Sequence, residues 1–295
     1  MSGTGEEWQV VRGRKGAARN SKTPKLSSNL NSQEPLDVRK TVERIRCTVS
    51  ELRCEEFWKE WKELLLVAGS AALSEPLGRK NNESPTGQMG MIRDERVSQH
   101  LQCVCYGLGS FSSCVSARYQ LAMLLLLLDA GQIPPNDCSI YDPVFTSGER
   151  DVLKELGVTV LTENEEGKHL TTKPTIFYLM HCGKALYNNL LWKNWSTQRL
   201  PLMIIIGNSF HGMRDRAIER DFKRDYSYIT QALSVCEENL LPCPSRMIDI
   251  FSDTAVITFP SSGLNRLPQS SWTALPEPQY QHCPDLEIIQ KEATR

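Results

Sequence analysis

His100-Leu-Gln-Cys-Val-Cys-Tyr-Gly-Leu-Gly-Ser-Phe-Ser-Ser-Cys114 reads as a buried strand, a glycine turn and the start of a helix. Leu101, Val104, Cys105 and Tyr106 favour an extended, water-excluded run. Gly107 and Gly109 let the backbone turn sharply and approach a ligand. Ser112 or Ser113 is placed to cap the following helix, whose free N–H groups would favour an anion. The apolar run Leu121–Leu128 is too short to span a bilayer and reads as one buried helix.

The same unit repeats downstream. Strands are expected at 101–106, 138–141, 158–161, 175–180, 201–206 and 254–259, with helices over 113–130, from 146 to Gly157, and from 183 to about Trp195. Thr146-Ser-Gly-Glu149 has the spacing of a capping box. The charged stretch Met213–Glu238 reads as a helical region broken near Asp225. Strands alternating with helices predict an α/β fold, a doubly wound, mainly parallel Rossmann-like sheet over 99–260. The near-continuous apolar strands fit burial on both faces.

Upstream, 1–36 reads as a disordered basic tail. Six Lys/Arg and no acid fall between Trp8 and Leu30, which offers a weak contact for nucleic acid. Residues 37–98 read as a long helix and a linker. Asp37 caps a helix to Leu66, and Val38, Val42, Ile45, Val49 and Leu52 form one apolar stripe before the phase shifts at Phe57, Trp58 and Trp61. The helix 38–66 packs on the α/β body or receives a protein partner. Residues 69–90 read as the linker. Residues 261–295, rich in Pro, Ser and Gln, read as a loose C-terminal tail.

Composition narrows the classes. The 295 residues carry a formal net charge of −1 with 40 % hydrophobic and 23 % charged residues, a soluble globular balance with no global field for nucleic acid or membrane. Without an apolar leader, the ten cysteines are expected as reduced thiols in a cytoplasmic protein. No Cys-x-x-Cys is present, and Cys103 and Cys105 read as buried small residues, so no metal site is expected.

In a doubly wound sheet the ligand crevice lies at the carboxyl ends of the strands. Those ends carry Gly107, Gly109 and Ser110, then Asp142, then His181 and Cys182, then Asn208 and Ser209. These eight residues are the crevice candidates. Gly107-x-Gly109 is half of a dinucleotide or S-adenosylmethionine loop. Ser112 stands where the third glycine would fall, and the ribose-binding acid expected about 20 residues on is replaced by Asp142, further along. Gly207-Asn-Ser-Phe-His-Gly212 misses the nucleophile elbow, because Phe210 and His211 separate serine from glycine. His181-Cys182 offers a thiol whose pKa a helix start would lower. Cys243-Pro244 and His282-Cys283-Pro284 are candidate haem contacts, since thiolate and imidazole both ligate haem iron.

Five stretches carry a family resemblance: Cys105-Tyr-Gly-Leu-Gly-Ser110, Tyr141-Asp-Pro143, Phe177-Tyr-Leu-Met-His-Cys182, Leu186-Tyr-Asn-Asn-Leu-Leu191 and Ile206-Gly-Asn-Ser-Phe210. In this order, over about residues 100–260, the sequence resembles the sensitivity-to-red-light-reduced family and its animal, SRR1-like members. Met180 stands where many members have proline. The resemblance implies a regulatory protein linked to circadian-clock regulation and, in animals, to control of haem biosynthesis. It also implies a cytoplasmic place with nuclear access, and it carries over no catalytic residues. Three functions follow as expectations: regulation through a ligand, haem or a nucleotide, that shifts partner binding; an S-adenosylmethionine-dependent methyltransferase-like enzyme; and a non-catalytic interaction scaffold. Regulation without catalysis is the leading one.

Overall fold

The computed structural model describes residues 36–74, 100–273, 276–280, 283, 286 and 288. The basic tail before Leu36, most of the expected linker, and His282 with the extreme C-terminus lie outside the described residues.

Seven strands form one sheet: β1 (Gln102–Tyr106), β2 (Cys138–Tyr141), β3 (Thr159–Val160), β4 (Thr175–Leu179), β5 (Met203–Asn208), β6 (Glu237–Leu240) and β7 (Thr254–Thr258). Their order across the sheet is β3-β2-β1-β4-β5-β7-β6. The first five are parallel; β7 runs antiparallel to β5, and β6 antiparallel to β7. After β1 the chain builds outward one way through β2 and β3, then returns to place β4 on the other side of β1. The β1/β4 boundary is therefore the topological switch point of the sheet.

β6 corrects the helical expectation for 213–238. That stretch holds three short helices, α6 (Phe210–Asp215), α7 (Glu219–Asp225) and α8 (Ser227–Ala232), before the strand begins. Edge position explains the misreading. Glu237-Glu-Asn-Leu240 pairs on one side only and is mostly exposed, so it lacks the apolar alternation that marks inner strands.

Alternate side chains of the strands feed two cores. Cys103, Cys105, Ile176, Tyr178, Ile204 and Ile206 face one; Val104, Tyr106, Phe177, Leu179, Met203 and Ile205 face the other. Desolvation by burial raises the Cys105 thiol pKa well above the ordinary value; for Cys103 the contact with Cys138 comes first and burial second. On the first face lies α3 (Val115–Ala130). It is apolar nearly all round because it is sandwiched: one side meets the sheet and the other meets α1 (Val38–Arg53). α4 (Ser147–Glu155) packs beside α1.

The expected single helix 37–66 is two. Asp37 caps α1 by accepting from the Lys40 amide at 3.0 Å, α1 ends at Arg53, and α2 (Glu56–Ser74) starts afresh. The break lies where the apolar phase shifts. The α1 stripe faces α3, whereas Phe57 meets Phe251 at a tilt and Trp61 meets it edge-on, at ring-centroid distances of 5.9 and 5.4 Å, and the Trp61 indole donates to the Pro242 carbonyl at 2.9 Å. α2 runs past Gly69, the expected start of the linker, and glycine there leaves room for Leu101, which a Cβ would approach to 3.0 Å. Both stripes, at 38–53 and 56–66, are thus largely covered within the chain.

On the second face lie α5 (Lys184–Lys193), α8 and their neighbours. Asn188 accepts from the Tyr228 amide at 3.0 Å and so anchors α8 to α5. Asn189 donates to the Glu166 carbonyl at 2.9 Å and fixes the loop before β4. Within the segment expected as a loose tail, Tyr280 is docked against α5. Its hydroxyl donates to Asn189 at 2.7 Å and accepts from Asn188 at 3.1 Å, with 8 % of the residue exposed. The Leu186-Tyr-Asn-Asn stretch is therefore a structural clamp. Among the described residues no helix is long and apolar enough to cross a membrane.

Candidate functional site

The carboxyl ends of β1, β2, β4 and β5 share one edge of the sheet. After β1 the chain turns through Gly107 (φ 66°) and Gly109 (φ 80°), a conformation glycine alone adopts freely. Cys182, after β4, lies against this turn. Its thiol donates to the Tyr106 carbonyl at 3.3 Å, and a Cβ on Gly107 would come within 2.6 Å of its sulfur. Asp142, directly after β2 and 5 % exposed, accepts from the Gly109 amide at 2.8 Å and from the Val144 amide at 2.9 Å. The displaced acid of the sequence thus sits at the end of β2 after all.

The helix start itself differs from expectation. α3 begins at Val115 with Cys114 at the cap position and no side-chain cap. The serines instead serve a buried carboxylate. Glu149, in the capping box of α4, accepts from the Thr146 amide at 3.0 Å, from the Ser112 amide at 3.0 Å and from the Ser110 hydroxyl at 2.8 Å. Burial alone would raise its pKa, but these bonds outweigh that cost and hold it below the ordinary carboxylate range.

Beside Asp142 opens a crevice of about 170 Å³ lined by Tyr106, Gly107, Tyr141, Asp142, Asn164 and Glu166, with Leu186 and Ile288 at its side. Tyr106 donates its hydroxyl to Glu165, which also meets His169 Nδ1 at 3.0 Å; burial first, then Glu165, pushes the phenol pKa far up. The sequence reading passed over Tyr106, Asn164 and Glu166 as site residues. The acidic turn after β3 was the available signal: it is one more strand end on the same edge.

The remaining candidates diverge. His181, at φ 52°, turns to the first face, where its ring nitrogens meet Gln120 at 3.3 Å and the Ser252 carbonyl at 3.2 Å. Asn208 is held by Tyr187, whose hydroxyl accepts from the Asn208 amide at 2.8 Å and donates to the Leu179 carbonyl. Ser209 caps α6, accepting from the Gly212 amide at 2.8 Å and donating to Glu238. Glu238 in turn accepts from the Phe210 amide at 2.9 Å, so an acid of β6 closes the helix start.

The haem candidates do not fit a shared iron. Cys243 packs with the first core, where its thiol donates to the Met247 carbonyl at 3.4 Å. The Cys283 sulfur meets the Tyr226 hydroxyl at 3.9 Å, and Tyr226 packs with the core of the opposite face. Burial first raises both thiol pKa values, which opposes the thiolate a haem iron needs. Titration of the full chain with haemin, followed by its absorption band, should therefore give superimposable curves for parent, Cys243→Ala and Cys283→Ala. A band lost in either variant would contradict this. Among the described residues no cluster of three or more His, Cys, Asp or Glu is arranged for a metal ion.

Sheet order and switch point define an α/β protein of the doubly wound class, with a crevice at the strand ends. The SRR1 domain family model matches residues 73–258, and this chain belongs to the SRR1 family. Mouse SRR1-like protein is 39 % identical over 233 residues, covering 77 % of this chain and 94 % of the mouse protein. Drosophila melanogaster SRR1-like protein is 32 % identical over 161 residues, 55 % of this chain and 56 % of its own. Arabidopsis thaliana protein SENSITIVITY TO RED LIGHT REDUCED 1 is 39 % identical over 110 residues, 37 % of this chain and 40 % of its own. Among solved structures, the mitomycin 7-O-methyltransferase MmcR aligns over 75 % of this chain and 68 % of its own at 12 % identity, with a TM-score of 0.31.

Proposed function

We propose that this SRR1-family chain is a regulatory protein whose β1/β2 crevice holds a small, phosphate-free, nucleoside-like ligand. Ligand occupancy shifts which partner the body or its helices 38–66 engage. Clock-linked and haem-linked control, in the cytoplasm with nuclear access, is the setting that the family resemblance supports. One observation carries the ligand class: the turn amides that would cradle a phosphate already serve carboxylates, Gly109 to Asp142 and Ser112 to Glu149. A pyrophosphate there would face two negative charges, each costing about 4 kcal/mol at 4 Å in a partly screened site. Hydroxyl donors, by contrast, suit the lone pairs left on Asp142.

The test is thermal unfolding of the full chain with adenosine, S-adenosylmethionine, NAD and ATP. A ligand at a hundred times its Kd stabilises by about 2.7 kcal/mol. The expected result is an Asp142-dependent rise in Tm with the phosphate-free compounds only: Asp142→Asn abolishes it and leaves unchanged whatever stabilisation NAD or ATP confers. Stabilisation by NAD or ATP that is lost in Asp142→Asn, or none by any nucleoside, would sink the reading.

A second reading, methyl transfer, draws on the same acids, because a sulfonium cation is at home beside carboxylates. S-adenosylmethionine, when bound, supplies an electrophilic methyl group. The orientation of His181 toward Gln120 and Ser252 weighs against it, since the histidine that would serve as base turns away from the crevice. Methylation of an added acceptor, dependent on Asp142, would favour the enzyme.

A further inference from the structure

A second cavity lies at the opposite end of the strands, among residues flanking the starts of β4 and β5. It is an open hollow of about 430 Å³, lined by Trp192, Trp195, Trp272 and Tyr228, with Lys193 and Arg199 as its charged residues. That volume falls within the range of about 300–1,000 Å³ typical of small-molecule sites. Trp195 holds the C-terminal segment in place, its indole donating to the Ser271 carbonyl at 2.9 Å, and its ring meets Tyr228 edge-on at 5.3 Å and Trp272 at 5.8 Å. Lys193 lies 5.6 Å from the centre of the Trp192 ring.

Two chemistries suit an aromatic cavity: a quaternary ammonium, or a planar ring that stacks. Charge decides between them. Both charged residues of the lining are cations, no acid lines the cavity among the described residues, and neither Lys193 nor Arg199 makes an ion pair with a described acid. A cationic guest would meet two like charges, whereas a phosphate would pair with them. The geometry points to a nucleotide site: a base stacked on the indoles, with its neighbouring phosphate held by Lys193 and Arg199. A free mononucleotide and a nucleotide within a single strand share this chemistry. The site is separate from the β1/β2 crevice, which excludes phosphate, so the two readings stand or fall independently.

Tryptophan fluorescence and calorimetry of the full chain test the assignment, with AMP, a short oligoadenylate, adenosine and choline as probes. AMP or the oligoadenylate should quench the indoles and bind at least about tenfold more tightly than adenosine does at this cavity. The tighter of the two tells whether the free nucleotide or the strand is the guest. Lys193→Ala/Arg199→Ala should lose that preference. Trp272→Ala should weaken both by roughly tenfold to a hundredfold. Circular dichroism verifies that each variant is folded, and Trp195 is left intact because it anchors Ser271. Asp142→Asn should leave AMP binding unchanged. Three results would overturn the proposal: quenching by choline but by neither phosphate probe, AMP affinity unaltered in the double variant, or AMP binding lost in Asp142→Asn instead.

Discussion

Gly207→Ala is expected to destabilise the protein by about 3 kcal/mol, the upper part of the usual range for overpacking a closed core. In a chain of this size that is a fall in Tm of roughly 10 °C. Gly207 lies in β5, paired in register with Leu179 of β4. A Cβ there would stand 2.6 Å from the Leu179 carbonyl oxygen and 2.5 Å from the Tyr187 hydroxyl. The first contact is backbone in a fully buried sheet, so relief means separating β4 from β5. Gly109→Ala makes the contrast: its Cβ meets only Ala117 at 3.7 Å, and the cost is the positive φ alone, about 1–2 kcal/mol. Thermal or urea unfolding of both variants checks the ranking. A Gly207→Ala protein as stable as the parent would show that the packing between β4, β5 and Tyr187 is looser than described.

The second large effect belongs to Glu149→Ala. The residue has no exposed surface, and its carboxylate is the acceptor for two backbone amides and the Ser110 and Thr146 hydroxyls. Each buried donor left without an acceptor costs about 1–3 kcal/mol, so a loss of about 3 kcal/mol is expected after partial rehydration. Glu149→Gln, which keeps one acceptor oxygen, should lose less. The pH dependence follows from the sign of the shift. The folded-state pKa lies below the ordinary value of 4.5, so the ionised group's contribution is fully present above about pH 4.5. It fades as pH falls toward the depressed folded value. The stability gap between parent and Glu149→Ala should accordingly be flat near neutrality and narrow below pH 4.5. A gap that widens on acidification would mean the carboxylate is not held in its ionised form.

Much of the fold was legible in local pattern. The inner strands are largely apolar runs, and 101–106, 138–141, 175–180 and 254–259 all contain observed strands because burial on both faces favours apolar side chains. The capping box at Thr146–Glu149 formed as its spacing implied. What failed were features whose cause lies outside the local segment. β6 is polar because only β7 pairs with it. The break between α1 and α2 comes from two docking surfaces, α3 and Phe251, that lie out of phase on one helix axis. Gly69, a breaker by local pattern, lies inside α2, where its missing side chain makes room for Leu101.

The site divides in the same way. Sequence by itself determined which residues stand at the strand ends, since each follows directly from a strand boundary: Gly107 and Gly109 after β1, Asp142 after β2, Cys182 after β4. Only tertiary structure decided where their side chains went. It joined Asp142 to Gly109 across 33 positions and Glu149 to Ser112 across 37, while it sent His181, Asn208 and Ser209 to other partners. The physical reason is hydrogen-bond satisfaction. A buried carboxylate must find donors wherever the fold places them, and the turn amides were the donors within reach. That closure made a turn resembling a phosphate cradle into one whose amides are taken by carboxylates.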